Sequence, residues 1–506
     1  MLARIVELPL FVLFIGLSAL AMLVPAAHGL ATDAGPSARG FGYAALLTFV
    51  LFAMLALATW THRVRQPIRA NLVSILAFYA VLPLLLAWPM TVAMDGVVSY
   101  GDAVFDMVSA ITTTGAPTLP LNATPSPVHL WRAEVAWFGG FFVWVTAIAV
   151  LAPLNLGGFE VFGTAGPGRG AESFTQITRL AGQERRIRRY AAALFPIYAV
   201  LTGILWLALI ASGDPPLVAM THAMSTLSTS GLSPLGGPDG AASGLAGEGL
   251  ILLFLVFALS RSTFATQERD DGLRTVLRDP ELRLGLVIIV ALPVLLFLRH
   301  WLAAIESDAT VTALQGLGAL WGAVFTTASF LTTTGWVSGS WDAALSWSGL
   351  RTPGLVLMGL AIFGGGVATT AGGVKLLRVY ALYKHGTREM EKLVQPSSIG
   401  GAGRAARRFR RQGAYLAWIA FMLFALSIAT VWLALTFTGL DFETALVLTI
   451  ASLTTCGPLI EAAMSQPVAL LDLSPGAKTI MAAAMVLGRL EALAIIALLN
   501  PDFWRG

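Results

Sequence analysis

The chain has 506 residues, 56% of them hydrophobic and only 12% charged. Soluble domains carry about 25% charged residues, so half that share excludes a water-soluble globule and points to a membrane. A net charge of +4 calls for no nucleic-acid partner, and the single cysteine, Cys456, excludes a disulfide framework or a cysteine metal cluster.

In chain order, ten spans are predicted: 8–29, 41–61, 71–92, 134–153, 190–211, 249–266, 284–304, 353–374, 413–438 and 478–499. Runs such as Leu8–Leu30, Leu72–Trp88 and Leu284–Leu298 are long enough, or nearly so, to cross ~30 Å of hydrocarbon. They are continuous rather than alternating, which excludes a β-barrel. The first run resembles a signal peptide after Arg4, but it exceeds the usual apolar region of about 7–15 residues, so a retained helix is expected. Arg261 interrupts the sixth span. Trp60, Trp88 and Trp301 stand near span ends, where tryptophan anchors a helix at the interface.

With the N-terminus inside, residues 62–70, 154–189, 261–283, 375–412 and the C-terminus are cytoplasmic and hold most of the 32 Lys and Arg. Lysine and arginine placement sets topology, so both termini are expected in the cytoplasm. Lys375 to Arg411 is the most basic stretch, opposed only by Glu389 and Glu391. A positive-inside anchor is preferred there over an anionic-lipid or partner site.

Between the spans, on the outer side, one tetrapeptide recurs. It reads Thr112-Thr113-Thr114-Gly115, Ser228-Thr229-Ser230-Gly231, Thr332-Thr333-Thr334-Gly335 and Thr454-Thr455-Cys456-Gly457. Twelve places before each glycine stands Ala103, Ala219, Ala323 or Ala445. The stretch from alanine to glycine is helix-competent and too short to span. The unit is therefore span, short re-entrant helix, loop and span, occurring four times. Repeats pack against one another, and four of them suggest pseudo-fourfold symmetry.

One such loop alone reads as a helix-terminating turn. Four, equally placed on one face, read as chemistry. A re-entrant backbone is tolerated only where it lines water or is buried in protein. Helix C-termini carry about half a negative charge, so four ending on one axis favour a cation. An extended threonine run closed by glycine can aim carbonyls inward, with glycine supplying the unusual backbone angles. Carbonyl rings of this kind replace a hydration shell in potassium filters.

The eighth span holds a second signal, Gly364 to Gly373. Its glycines, each costing about 1 kcal/mol in a helix, predict an unwound segment on the axis below the loops, where it would plug the path. A packing kink is the alternative. Arg489 lies midway along the last span, where charge marks function by default; a structural pair with Glu491 is the other reading. Asp106 and His222 stand nine before their glycines, where repeats three and four have Thr326 and Leu448. Helix-to-scaffold hydrogen bonds are preferred there over an ion ligand. Glu461 reads equally as a charge at the outer mouth or as a solvated carboxylate.

"WRAEVAWFGG" at 131–140, "GGGVATTAGGVKLLRV" at 364–379 and "GRLEALAIIALLNPDFW" at 488–504 complete a resemblance that covers nearly the whole chain. With the four glycine loops, they resemble the Trk-type potassium uptake transporters, of one superfamily with the Ktr and plant HKT proteins. The resemblance implies an all-α polytopic membrane protein: two N-terminal helices (1–70), then pore repeats at 71–153, 154–266, 267–412 and 413–506. It implies potassium as substrate, held at the sixteen loop residues named above. It also implies a gate at Gly364, Gly365, Gly366, Ala368, Thr369, Thr370, Gly372, Gly373 and Lys375, and Arg489 in the ion path. A homodimer in the inner membrane, docked on a cytosolic nucleotide-binding regulatory subunit, is implied as well. The chain has no P-loop of its own, since "GTAGPGRGAES" at 163–173 lacks the lysine and hydroxyl pair.

The serines of the second loop, Cys456, and "GPLIEAA" after it depart from the family pattern and leave the strictness of potassium over sodium open. A less selective sodium/potassium transporter is one alternative. An inverted-repeat secondary transporter is another, though the four motifs share one orientation. An enzyme needs clustered acids, histidines or a nucleophile pair, and no such spacing occurs; no organic cofactor is expected.

Overall fold

The structure, a computed structural model, describes residues 8–60, 67–152, 158–159, 183–260, 279–304, 313–395, 411–464, 466 and 468–490. All regular elements among them are helices. Seven are long and apolar enough to cross a membrane: Leu10–Ala31, Gly35–Thr59, Val73–Ala93, Ser126–Leu151, Arg186–Ala211, Pro280–Arg299 and Gly413–Thr436. Trp60 and Trp88 are exposed at span ends. The predicted cytoplasmic stretches within 61–66, 153–157, 160–182, 261–278 and 396–410, residues 491–506 with Glu491, and the Trp301 side chain lie outside the described residues.

Ser126–Leu151 begins well before the expected 134. Pro127 near its first turn suits a helix start, and His129 and Arg132 interrupt the hydropathy signal although both are buried. The eighth span is not continuous: its helix, Pro353–Phe363, stops at Gly364 (φ 70°), and the next begins at Leu376. That second helix, Leu376–Val394, occupies half of the basic segment 375–412.

Four short helices precede the glycine loops: Tyr100–Ile111, Pro216–Ser228, Ala313–Leu331 and Phe442–Leu453. The Ser99 and Asp441 side chains cap the first and fourth by accepting from backbone N–H groups of Asp102 and Thr444, satisfying donors a helix start leaves orphaned. The third runs to 19 residues, longer than the alanine-to-glycine unit. No proline or capping residue stops it from extending back through Leu314 and Ala313.

Close approach depends on missing side chains. A Cβ at Gly139 would lie 2.0 Å from the Ile111 carbonyl oxygen, and one at Gly488 would lie 2.2 Å from that of Leu453. These carbonyls belong to equivalent residues, the last of the first and fourth short helices. Each following span therefore rests directly on a helix end, and Gly488 brings Arg489 with it.

Candidate functional site

The four loops touch in cyclic order. A Cβ at Gly115 would sit 1.7 Å from the Ser230 oxygen, and one at Gly231 2.2 Å from the Thr334 oxygen. One at Gly335 would meet Cys456 Sγ at 2.9 Å, and one at Gly457 would meet the Ala116 nitrogen at 2.4 Å. The fourth loop closes on the first when Gly457 N–H donates to the Thr114 oxygen at 2.6 Å. All sixteen expected residues are thus brought together, and the threonines, serines and Cys456 among them are buried.

The loops share one internal geometry. The hydroxyl three before the glycine bonds back into its own helix: Thr112 to Val108 O, Ser228 to Met224 O, Thr332 to Ala328 O and Thr454 to Ile450 O. It also meets the hydroxyl just before the glycine, at 2.9 Å for Thr112 and Thr114, 3.1 Å for Ser228 and Ser230, and 3.2 Å for Thr332 and Thr334. Cys456 removes that pair from the fourth loop.

The expectation of an extended run with glycine carrying the unusual angles needs correction. The threonine two before the glycine is left-handed in every copy: Thr113 at φ 54°, Thr229 at 51°, Thr333 at 57° and Thr455 at 52°. For a β-branched residue this is a real outlier, costing of order 1–3 kcal/mol. Glycines 115, 231 and 335 are also at positive φ, but Gly457 is not; a side chain there is excluded by the adjoining first loop. The hydroxyls of Thr113 and Thr455 are buried without a hydrogen-bond partner among the described residues. Thr333 Oγ1 accepts from Gly372 N–H at 2.7 Å.

That last contact belongs to the unwound segment, which lies against the second helix end and the third and fourth loops and is joined to the first loop through Arg489. Thr370 Oγ1 donates to Leu227 O at 3.2 Å, and a Cβ on Gly372 would meet the Thr454 oxygen at 2.0 Å. Arg489 completes the set, with Nε donating to Thr112 O at 2.7 Å and Nη1 to Thr370 O at 2.6 Å. A guanidinium at a helix C-terminus is where the helix dipole favours a cation. The segment is tied on its other side by Gly366 N–H to Ala258 O, Thr369 Oγ1 to Gly366 O, and Lys375 Nζ to Ala371 O. Ala368 and Lys375 take positive φ there. Gly364 and Gly373 pack on each other, and Gly365 packs against Ala258 and Ala371.

Asp106 and His222 both brace the chain leaving their loops. Arg132 grips Asp106 with two bonds, at 2.9 and 2.8 Å, and donates a third to Ala116 O at 3.2 Å. His222 Nε2 meets Ser233 Oγ at 2.8 Å, and in repeat three Thr326 Oγ1 accepts from Ser338 N–H. Leu448 can make no such bond.

Three residues with direct roles went unassigned in the sequence: Arg132, Trp336 and Glu281. Trp336 donates its indole N–H to the Gly231 oxygen at 2.8 Å, and Glu281, fully buried, accepts from Val367 N–H. A charge inside or at the edge of an apolar span was the available signal for Arg132 and Glu281. Nothing local marked Trp336. At the start of the first short helix, Asp102 pairs with Lys478, tying that helix to the last span. Cys456 is fully buried behind Gly335. Burial in the chain denies a charged thiol reagent direct access. The carboxyl of Glu461, on the short helix after the fourth loop, is raised above the usual range by desolvation and by the Asp239 carboxylate.

Residues 274–502 match a family model described as TrkH, cation transport protein. The Trk system potassium uptake protein TrkH of Halomonas elongata is 31% identical over 430 residues, covering 85% of this chain and 84% of that protein. TrkH of Salmonella typhimurium is 29% identical over 462 residues, 90% and 91% of the two chains. The crystal structure of the potassium transporter TrkH from Vibrio parahaemolyticus superposes with a TM-score of 0.78 at 26% identity over 100% of both chains.

Proposed function

The chain belongs to the TrkH family of cation transport proteins, and from that premise we propose that it carries potassium into the cell through its four glycine loops. It is a multi-pass membrane transporter and not an enzyme. The observation that carries the reading is the closed cycle of contacts from Gly115 to Ser230, Gly231 to Thr334, Gly335 to Cys456 and Gly457 back to Thr114. Four helix C-termini and four loop backbones, arranged about one axis in pseudo-fourfold fashion, supply partial negative charge and carbonyl oxygens. Together they replace the water of a dehydrated cation. Left-handed threonines hold this backbone under strain that the surrounding contacts maintain, which suits a site of fixed size.

Below the loops, the segment from Gly364 to Lys375 is the gate. It contacts the loops through Gly372 and Thr370, and Arg489 latches it to Thr112 O while placing a positive charge beside the path. Release of the segment, driven by a cytosolic nucleotide-binding subunit acting on a dimer of this chain, opens conduction. Both termini lie in the cytoplasm, and the pore repeats run 71–153, 154–266, 267–412 and 413–506 after the helices of 1–70.

A less strict preference for potassium over sodium is the second reading. It is favoured by Cys456, which deprives the fourth loop of the hydroxyl pair found in the other three. Purified chain in liposomes with its cytosolic subunit docked, with potassium, rubidium and sodium fluxes compared, separates the two. Potassium and rubidium should enter well ahead of sodium, and equal rates would establish the unselective transporter. No flux of any of them with the subunit present, together with failure to rescue growth of a potassium-uptake-deficient cell, would defeat both.

A further inference from the structure

Glu248 belongs to the helix Gly244–Leu255 that follows the second loop, yet its carboxylate accepts hydrogen bonds from repeat three. Only 3% of it is exposed. Its Oε2 accepts from the Trp321 indole at 2.6 Å and from Ser338 Oγ at 2.7 Å, and its Oε1 accepts from Gly339 N–H at 2.7 Å. Trp321 lies on the third short helix, and Ser338 and Gly339 lie just after the third loop. One carboxylate thus fixes the helix that enters this loop and the chain that leaves it.

The other repeats brace this position differently. Asp106 with Arg132 and His222 with Ser233 act within their own repeats, whereas Thr326 reaches only Ser338 N–H. Two residues before Ser338, Trp336 is fully buried and donates to the Gly231 oxygen in the second loop. Glu248 and Trp336 therefore form two rungs between repeats two and three, and the second rung ends on a loop carbonyl. Where the indole sits decides how that oxygen is aimed.

We propose that Glu248 is a positioning residue for ion selection: it holds the exit of the third loop in register with the second, so that Trp336 anchors the Gly231 carbonyl. This rests on the reading of the four loops as the selectivity site. A glutamine at 248 keeps the shape but opposes N–H donors with an amide NH₂ on one side, because the two oxygens accept from different partners. A hydrogen bond to a charged group is strong enough that weakening it gives the tenfold change that about 1.4 kcal/mol corresponds to.

The test compares potassium and sodium fluxes of the full chain in the same liposomes, because their ratio does not depend on how much protein inserts. Glu248→Gln should lower the potassium-to-sodium ratio about tenfold. Ser338→Ala, which removes one donor and keeps the carboxylate, should lower it by a smaller factor. Trp336→Phe should lower it too, and the Glu248→Gln/Trp336→Phe double variant should be no worse than the poorer single one, since both act on one carbonyl. Gly335→Ser serves as the control for the selectivity site itself. An unchanged ratio in Glu248→Gln and Ser338→Ala, with Gly335→Ser collapsed, overturns the role of Glu248 alone. So do single-variant factors that multiply in the double. An unchanged ratio in Gly335→Ser overturns the loop reading and this inference with it.

Discussion

Replacing Gly372 by alanine adds one methyl group at the contact between the gate segment and the loops. Its φ lies outside the left-handed region, so alanine is compatible with the backbone there. Space is the obstacle: the new Cβ would lie 2.0 Å from the Thr454 oxygen and 2.5 Å from Thr455 Oγ1, where real Cβ atoms keep about 3.0 Å. The segment must back away by about 1 Å, and in doing so it gives up the 2.7 Å bond from Gly372 N–H to Thr333 Oγ1. Overpacking costs about 1–3 kcal/mol, and the lost hydrogen bond adds about 1 kcal/mol. The closed arrangement is thus destabilised by about 2–4 kcal/mol relative to one in which the segment has moved aside. That shifts the opening equilibrium by roughly 30- to 700-fold. Rubidium flux into liposomes holding the variant alone, without any cytosolic subunit, should rise towards the rate the parent reaches only with its partner. The potassium-to-sodium ratio should stay as in the parent. Flux that stays flat or falls in correctly inserted protein would refute the assignment. A lost ratio would show that the segment belongs to the selectivity site and does not gate it.

Other perturbations follow from the same geometry. Arg489→Ala removes the bonds to Thr112 O and Thr370 O, so flux should rise and depend less on the regulatory subunit; identical regulated flux in liposomes would leave the arginine a purely structural role. Asp106→Ala strands the buried Arg132 charge and should destabilise the protein by about 3–5 kcal/mol, read as a lower midpoint in thermal unfolding in detergent, and an unshifted midpoint would contradict the brace. Glu461 has a raised carboxyl, so external acidification neutralises it at a higher pH than an ordinary glutamate and removes a negative charge from the outer mouth. Potassium influx at sub-saturating concentration should therefore decline as external pH falls, with Glu461→Gln low and flatter across the same range; parallel profiles for the two proteins would rule this charge out.

Much of the site was legible because four copies corroborate one another. One Thr-Thr-Thr-Gly is a turn, whereas four at a constant distance from an alanine define a unit, and the glycine cluster at 364–373 marked where a helix must stop. What escaped notice has physical reasons. Left-handed threonine runs against the preference of a β-branched side chain, so no propensity foretells Thr113 or Thr455. No proline and no Ser, Thr, Asp or Asn stands between Ala313 and Ala323, so nothing in the sequence fixes the start of the third short helix at that alanine. Bonds such as Arg132 to Asp106, Trp336 to Gly231 and Arg489 to Thr112 join residues far apart in sequence, and only the packed fold makes them neighbours. Glu248 escaped because it stands one residue ahead of the span expected at 249–266, where a carboxylate reads as solvated; its helix starts earlier, at Gly244.

The central claim is that the four glycine loops choose the ion, and the potassium-to-sodium flux ratio of Gly115→Ser and Gly335→Ser in liposomes tests it most directly. At Gly115 a side chain would begin 1.7 Å from the Ser230 oxygen, and at Gly335 it would press on Cys456 Sγ and Pro458, so a neighbouring loop must move in each. The account predicts that both variants insert normally and conduct sodium nearly as well as potassium. Parental ratios in both would contradict it.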